Sequence, residues 1–201
     1  MEHHVIIVNG LDETTGRLEV QVAGIKLITK KWPEKYQLIP EVIPVEWEDG
    51  QDLEPKLKKI TDLIDELVKT GSRVSLIGCS AGGSLVLNAF IERKNVIEKA
   101  INLDGFVRPG SPNVIEYFEN VGAKSKAFRE SVLRFEALES TLRENDRKKI
   151  LTVRPMVNGL VLAETVIIKG AANEKIPVVE HVLGVAIALI VFDPVIKFLK
   201  K

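Results

Sequence analysis

The chain has 201 residues, with 28 Lys plus Arg balanced by 28 Asp plus Glu, and a single cysteine. Zero formal charge without a basic block excludes the electrostatic footprint of a nucleic-acid binder. One cysteine excludes an intramolecular disulfide and any multi-cysteine zinc site, and the length suits a single domain, 1–201, with its own core.

The N-terminus MEHHVIIVNG has no basic n-region, and its apolar run is only Val5 to Val8. It reads as a strand ending at the Asn9-Gly10 turn rather than as a signal peptide, so a cytoplasmic location is expected. His3 and His4 precede this strand and read as solvated or incidental. Thr14 or Thr15 can cap a helix running to about Lys31, where Trp32-Pro33 stops it. Tyr36 to Val45 reads as extended, but Pro40 and Pro44 cannot donate to a ladder, which places it at a sheet edge. From Asp52 to Thr70, Leu53, Leu57, Ile60, Ile64, Leu67 and Val68 make one helical stripe, and Gly71 ends it. Arg73 to Ile77 is the next strand, Gly82 to Arg93 a helix and Ala100 to Leu103 a strand. Ile150 to Val153 and Thr165 to Ile168 complete six strands. A last helix is expected from about Val182 to Leu199, kinked at Pro194. Its uncharged start, Val182 to Phe192, has 11 residues, against the roughly 20 that span a bilayer, so no membrane span is expected.

Strands alternating with helices imply right-handed crossovers and an α/β, three-layer α/β/α domain around a mainly parallel sheet of about six strands. The alternation breaks at residues 106–149, a helical insertion in which Phe128, Val132, Phe135, Leu138 and Leu142 form an amphipathic stripe. This segment either covers the sheet as another layer helix or folds over a substrate site as a lid.

The strand Val74-Ser75-Leu76-Ile77 runs into Gly78-Cys79-Ser80-Ala81-Gly82 and then directly into a helix. G-x-S-x-G at a strand-to-helix junction is the nucleophile elbow: the serine occupies a strained turn, and Gly78 and Gly82 are small because two backbones approach closely there. The helix N-terminus puts the Ala81 amide where it can donate to a developing oxyanion. A phosphate-binding turn fits poorly, because the stretch lacks the Lys-Ser/Thr of a P-loop and the spacing G-x-G-x-x-G. Cys79, beside the serine, points away from such a site and reads as inert packing.

On these residues the chain resembles the α/β-hydrolase family over nearly its whole length, as a minimal lipase- or esterase-like member without the family's first two strands. The resemblance implies that Asn9-Gly10-Leu11 stands where the family often has His-Gly-X, with the Leu11 amide as second oxyanion donor. It implies that His181, which follows the last strand, is the base for Ser80. The family's acid position falls on Asn158 in RPMVNGLVLAET. An amide can orient an imidazole but cannot stabilise imidazolium, and in a serine protease the Asp to Asn change lowers turnover by about 10⁴. Asp104 in INLDGFV is the alternative acid, since some lipases of this fold carry theirs after that strand. It can equally be a turn residue, and Glu164, Glu174 and Glu180 remain further alternatives.

The expected function is hydrolysis of a small-molecule carboxylic ester or thioester through an acyl-serine intermediate, without metal or organic cofactor. A serine nucleophile argues against dehalogenase or epoxide hydrolase chemistry. Two other readings use the same residues: transfer of the acyl group to an alcohol or amine, and a degenerate, non-catalytic hydrolase that binds a small ligand or protein partner because position 158 is Asn. Nothing in the sequence specifies an oligomeric state.

Overall fold

The strands are β1 (His3–Val8), β2 (Ile39–Ile43), β3 (Arg73–Cys79), β4 (Ile97–Leu103), β5 (Ile150–Pro155) and β6 (Ala172–Ile176), and they form one sheet in the order β2-β1-β3-β4-β5-β6. Every pairing is parallel. These positions come from a computed structural model, which describes residues 1–11, 17–156, 162–177 and 193–201.

Alternate side chains of each strand feed two cores, as the period of two demands. Ile6, Val8, Val74, Leu76, Ala100 and Ile150 face one side. That side is covered by α3 (Leu53–Lys69), α4 (Gly82–Arg93) and α6 (Lys126–Leu138), with α5 (Pro112–Lys124) against α6. Val5, Ile7, Ile77, Cys79, Ile101, Leu103, Leu151 and Val153 face the other side. There α1 (Arg17–Thr29) contributes Ile25, α2 (Trp32–Tyr36) contributes Trp32, and α9 (Asp193–Lys200) contributes Val195 and Leu199. The short α7 (Glu144–Arg147) precedes β5, and α8 (Ala163–Val166) precedes β6. The domain is thus a three-layer α/β/α sandwich.

Several segments depart from the sequence reading. Trp32-Pro33 does not merely stop α1: Pro33 sits in the first turn of α2, where its missing N–H costs nothing, and Gln37 at φ 57° closes that helix. Thr165 to Ile168 is not a strand. Thr165 and Val166 lie in α8, and Val166 and Ile168 are buried in the α3–α4 core. The sixth strand lies further on, in the polar stretch Ala172-Asn173-Glu174-Lys175-Ile176, as an edge strand with only Ile176 buried. Charged residues suit an open edge, and hydrophobic periodicity cannot find them. His3 and His4 belong to β1 and are buried. His3 Nε2 pairs with Ser75 Oγ at 2.8 Å, and His4 Nδ1 with Glu41 Oε1 at 2.9 Å.

β2, shorter than the expected Tyr36 to Val45, does lie at an edge, as Pro40 within it requires; Pro44 falls just beyond the strand. The last helix is described only from Asp193, with Pro194 in its first turn. Thr14, Thr15 and the run 182–192 lie outside the described residues. No described helix is long and apolar enough to cross a membrane.

In the 106–149 segment, Ala127, Phe128, Ser131, Val132 and Phe135 of α6 are buried. Ser131 Oγ meets Ser84 Oγ at 2.6 Å, and Asn88 Nδ2 donates to Ser131 O at 2.8 Å, which fixes α6 along α4.

Candidate active site

All six strands point their C-terminal ends the same way, so the loops that leave them share one rim of the sheet, where ligands of open α/β folds bind. The register aligns this rim. Val8 pairs with Gly78, and Cys79 with Leu103. Two residues beyond Val8, and one beyond Cys79 and Leu103, Gly10, Ser80 and Asp104 follow in a row across three adjacent strand ends, with neighbouring strands roughly 4.8 Å apart.

Ser80 lies between β3 and α4 with φ 49°, a left-handed conformation that few residues other than glycine adopt. Two hydrogen bonds hold it there: Ser80 N donates to Leu103 O at 2.8 Å, and Gly83 N donates to Ser80 O at 2.8 Å. The turn is possible only without neighbouring side chains. A Cβ on Gly82 would stand 2.7 Å from Val8 O and 2.8 Å from Asn9 O, and one on Gly78 would overlap the Gly82 backbone. Ala81 follows with ordinary helical φ and opens α4. Cys79 is buried in the opposite core beside Ile77, and burial pushes its thiol up to about 12.

The loop after β1 abuts this turn. A Cβ on Gly10 would lie 3.0 Å from Ser80 Cβ and 3.7 Å from Ser80 Oγ. Asn9 is fully buried and wires the loop in place. Its Nδ2 donates to Gly10 O at 2.8 Å and to Val45 O at 3.1 Å, and its Oδ1 accepts from Val45 N at 2.8 Å. A planar trans peptide points its N–H opposite to its C=O, so gripping Gly10 O turns the Leu11 N–H away from the Asn9 amide. Gln21 Nε2 donates to Leu11 O at 3.1 Å and holds the next peptide. The sequence offered Asn9 only as a replacement for histidine; its role as a clamp required the β2 loop to be in place.

Asp104 is 2 % exposed and has φ 55°. Its N–H donates to Val153 O at 2.8 Å. Asn102 closes the turn around it, accepting from Gly105 N and donating to Gly105 O, both at 2.9 Å. A side chain on Gly105 would overlap Ser80 O, so this second turn packs directly on the first. The Asn-x-Asp-Gly spelling carries the signal for such a turn, although the fit of Gly105 against Ser80 is legible only in three dimensions.

The remaining candidates are dispersed. Glu164 lies in α8, and its carboxylate accepts from Ser111 N at 3.0 Å; the hydrogen bonds from Ser111 lower its pKa. Glu174 is exposed in the edge strand β6, three strands from β3. Asn158, Glu180 and His181 lie outside the described residues. Among the described residues, no three metal-binding side chains converge.

No protein-family model and no curated protein matches the sequence. Solved structures do match the fold. One described as a metagenome-derived lipolytic enzyme has a TM-score of 0.66 at 10% identity, covering 99% of this chain and 94% of that one. An epoxide hydrolase from Bacillus megaterium has a TM-score of 0.64 at 10% identity, with 100% and 94% covered. Human thioesterase 2 has a TM-score of 0.55 at 12% identity, with 100% and 97% covered. With a parallel sheet of six described strands between two helical layers and such neighbours across its whole length, this chain has the α/β-hydrolase fold in a minimal, three-layer form.

Proposed function

We propose that the chain is a serine hydrolase that cleaves a small carboxylic ester or thioester through an acyl-serine intermediate. The observation that carries this reading is Ser80 held at φ 49° in a side-chain-free turn between β3 and α4, in one row with Gly10 and Asp104. A strained serine at that point is what a nucleophile elbow requires, and strain of this kind persists only where the surroundings enforce it.

In this reading Ser80 Oγ attacks the acyl carbon while His181 accepts the hydroxyl proton. The carbonyl oxygen becomes an oxyanion that the Leu11 and Ala81 amides stabilise. The tetrahedral species collapses, the C–O or C–S bond breaks, and the leaving alkoxide or thiolate takes the proton from His181. Water then repeats the sequence on the acyl-serine, releasing the acid and restoring Ser80. Asp104 is the preferred orienting carboxylate for His181, because it is buried one strand from Ser80 on the same rim. Glu164 is occupied at Ser111, and Glu174 lies at the far edge.

The test is hydrolysis of p-nitrophenyl esters and acyl thioesters by wild type and Ser80→Ala, together with labelling by a fluorophosphonate. Turnover and labelling that both vanish in the variant are expected. A wild-type protein that neither turns over nor labels would overturn the reading in favour of a binding protein without catalysis. Ester products formed with added alcohol would assign acyl transfer instead.

A further inference from the structure

Helix α1 packs on the sheet through Ile25 and Thr29, which are both buried, and leaves its opposite face open. That face is apolar. Val20 is 69 % exposed and Leu27 72 % exposed, and between them lie exposed Ala23 and half-buried Gly24, at which an added Cβ would meet nothing within 4 Å. The spacing 20, 23, 24, 27 is i, i+3, i+4, i+7, so the four residues form one stripe. Flanking it on one side are exposed Glu19, Lys26 and Lys30, the last in the turn that ends the helix.

We propose that this stripe is a homodimer interface, in which α1 packs antiparallel against α1 of a second copy across a two-fold axis between Ala23 and Gly24. A two-fold interface must be self-complementary, and α1 meets that demand in both shape and charge. At 1.5 Å rise per residue, Val20 and Leu27 lie about 5 Å on either side of the midpoint, so the rotation sets each Val20 against Leu27 of the other copy. Ala23 and Gly24 then meet at the centre, where the absence of bulk lets the two backbones approach. The same rotation keeps the charged flanks on one side. Glu19 lies about 7 Å from the midpoint, and Lys26 and Lys30 about 4 and 10 Å on the opposite side. Each Glu19 therefore falls between Lys26 and Lys30 of the second copy, whereas a parallel two-fold pairing would carry the two charged flanks to opposite sides and lose that match. A single helix pair is a small interface, and interfaces below about 1,200 Å² are transient, so the dimer dissociates on dilution.

The test is sedimentation velocity and light scattering from about 1 to 200 µM, a range that spans the weak affinities of small interfaces. Wild type is expected to shift from one chain mass toward twice that mass, and Leu27→Glu to remain at one chain mass with an unchanged circular dichroism spectrum. Glu19→Lys should weaken association at least tenfold, and combining it with Lys26→Glu and Lys30→Glu should restore it. Since Cys79 is buried and is the chain's only cysteine, Ala23→Cys introduces a single reactive thiol, and mild oxidation should join two copies through it. A wild type that stays at one chain mass throughout, or a Leu27→Glu dimer as strong as wild type, overturns the proposal. Binding of the monomer to anionic phospholipid vesicles, abolished by Leu27→Glu, would overturn it in favour of a lipid surface.

Discussion

At the scale of single residues, the candidate site is a problem of excluded volume before it is one of chemistry. Ser80 and Asp104 both adopt left-handed backbone, and neither turn would close if Gly78, Gly82 or Gly105 carried a side chain. The glycine pattern around Ser80 is therefore readable from sequence, because the turn's demand is local. Asp104 is different: from its neighbours alone, an aspartate before glycine is equally a turn former, and only the parallel register of β3 and β4 sets it beside Ser80. Asp104→Asn keeps the shape and the turn while removing the charge. If Asp104 orients His181, kcat should fall by about 10³ to 10⁴ with KM nearly unchanged, by analogy with the same exchange in a serine protease, and the melting temperature should stay within a few degrees. Near-normal kcat in steady-state kinetics would rule out Asp104 as the orienting group and leave the role to Asn158 or Glu180.

Among the elements, legibility followed the source of each signal. The helix Gly82–Arg93 and the strands β1 and β3 are clear in sequence because central elements bury nearly every residue, which makes apolar runs bounded by glycine. The edge strand β6 is nearly invisible for the converse reason, and the apolar run 165–168 misleads because it is buried as a helical turn and loop rather than in the sheet. Position in the layers also decides what α6 does. Its Phe135 is fully buried in the α3–α4 core, and its Ser131 is tied to Ser84 and Asn88, so α6 is part of the helical layer. The neighbouring α5 is anchored by Phe106, whose ring stacks on Tyr117 and lies tilted against Phe118, with centroids 6.0 and 6.2 Å apart. Phe135→Ala should cost about 3–5 kcal/mol in denaturant unfolding, the range for a large aromatic removed from a packed core. Ser131→Ala should cost only about 1 kcal/mol, the net value of one hydrogen bond. Equal, small losses in both variants would show that α6 is not held in the core.

Across the whole molecule, the parallel sheet separates two polar ends with different tasks. The C-terminal rim carries Ser80 and Asp104, while the opposite end carries His3 against Ser75, with Arg73, Glu98 and His4 around it. β1 is six residues long, so the two ends stand roughly 17–20 Å apart at about 3.3 Å per residue, and His3 cannot serve the rim. Its effect is on stability. Burial, with a smaller contribution from the Arg73 charge, lowers the His3 pKa from 6.5 to about 4. As pH falls below 6.5 the unfolded chain binds a proton at this position and the folded chain does not, so unfolding becomes progressively easier until pH reaches about 4, where the folded state is protonated as well. The stability present above pH 6.5 is therefore lost through that window, by about 3 kcal/mol at most for this one group. Asp65, whose pKa is lowered by its hydrogen bonds from Arg93, loses its contribution in a more acidic window, below its ordinary value of 3.8, so the two are separable. His3→Gln retains a hydrogen-bonding group beside Ser75 without the titration. Its denaturant-unfolding free energy should vary less between pH 6.5 and 4 than that of wild type, and the difference between the two proteins should grow as pH falls. Parallel profiles would mean that His3 takes up its proton equally in the folded and unfolded chains, so that its burial beside Ser75 does not set the acid sensitivity.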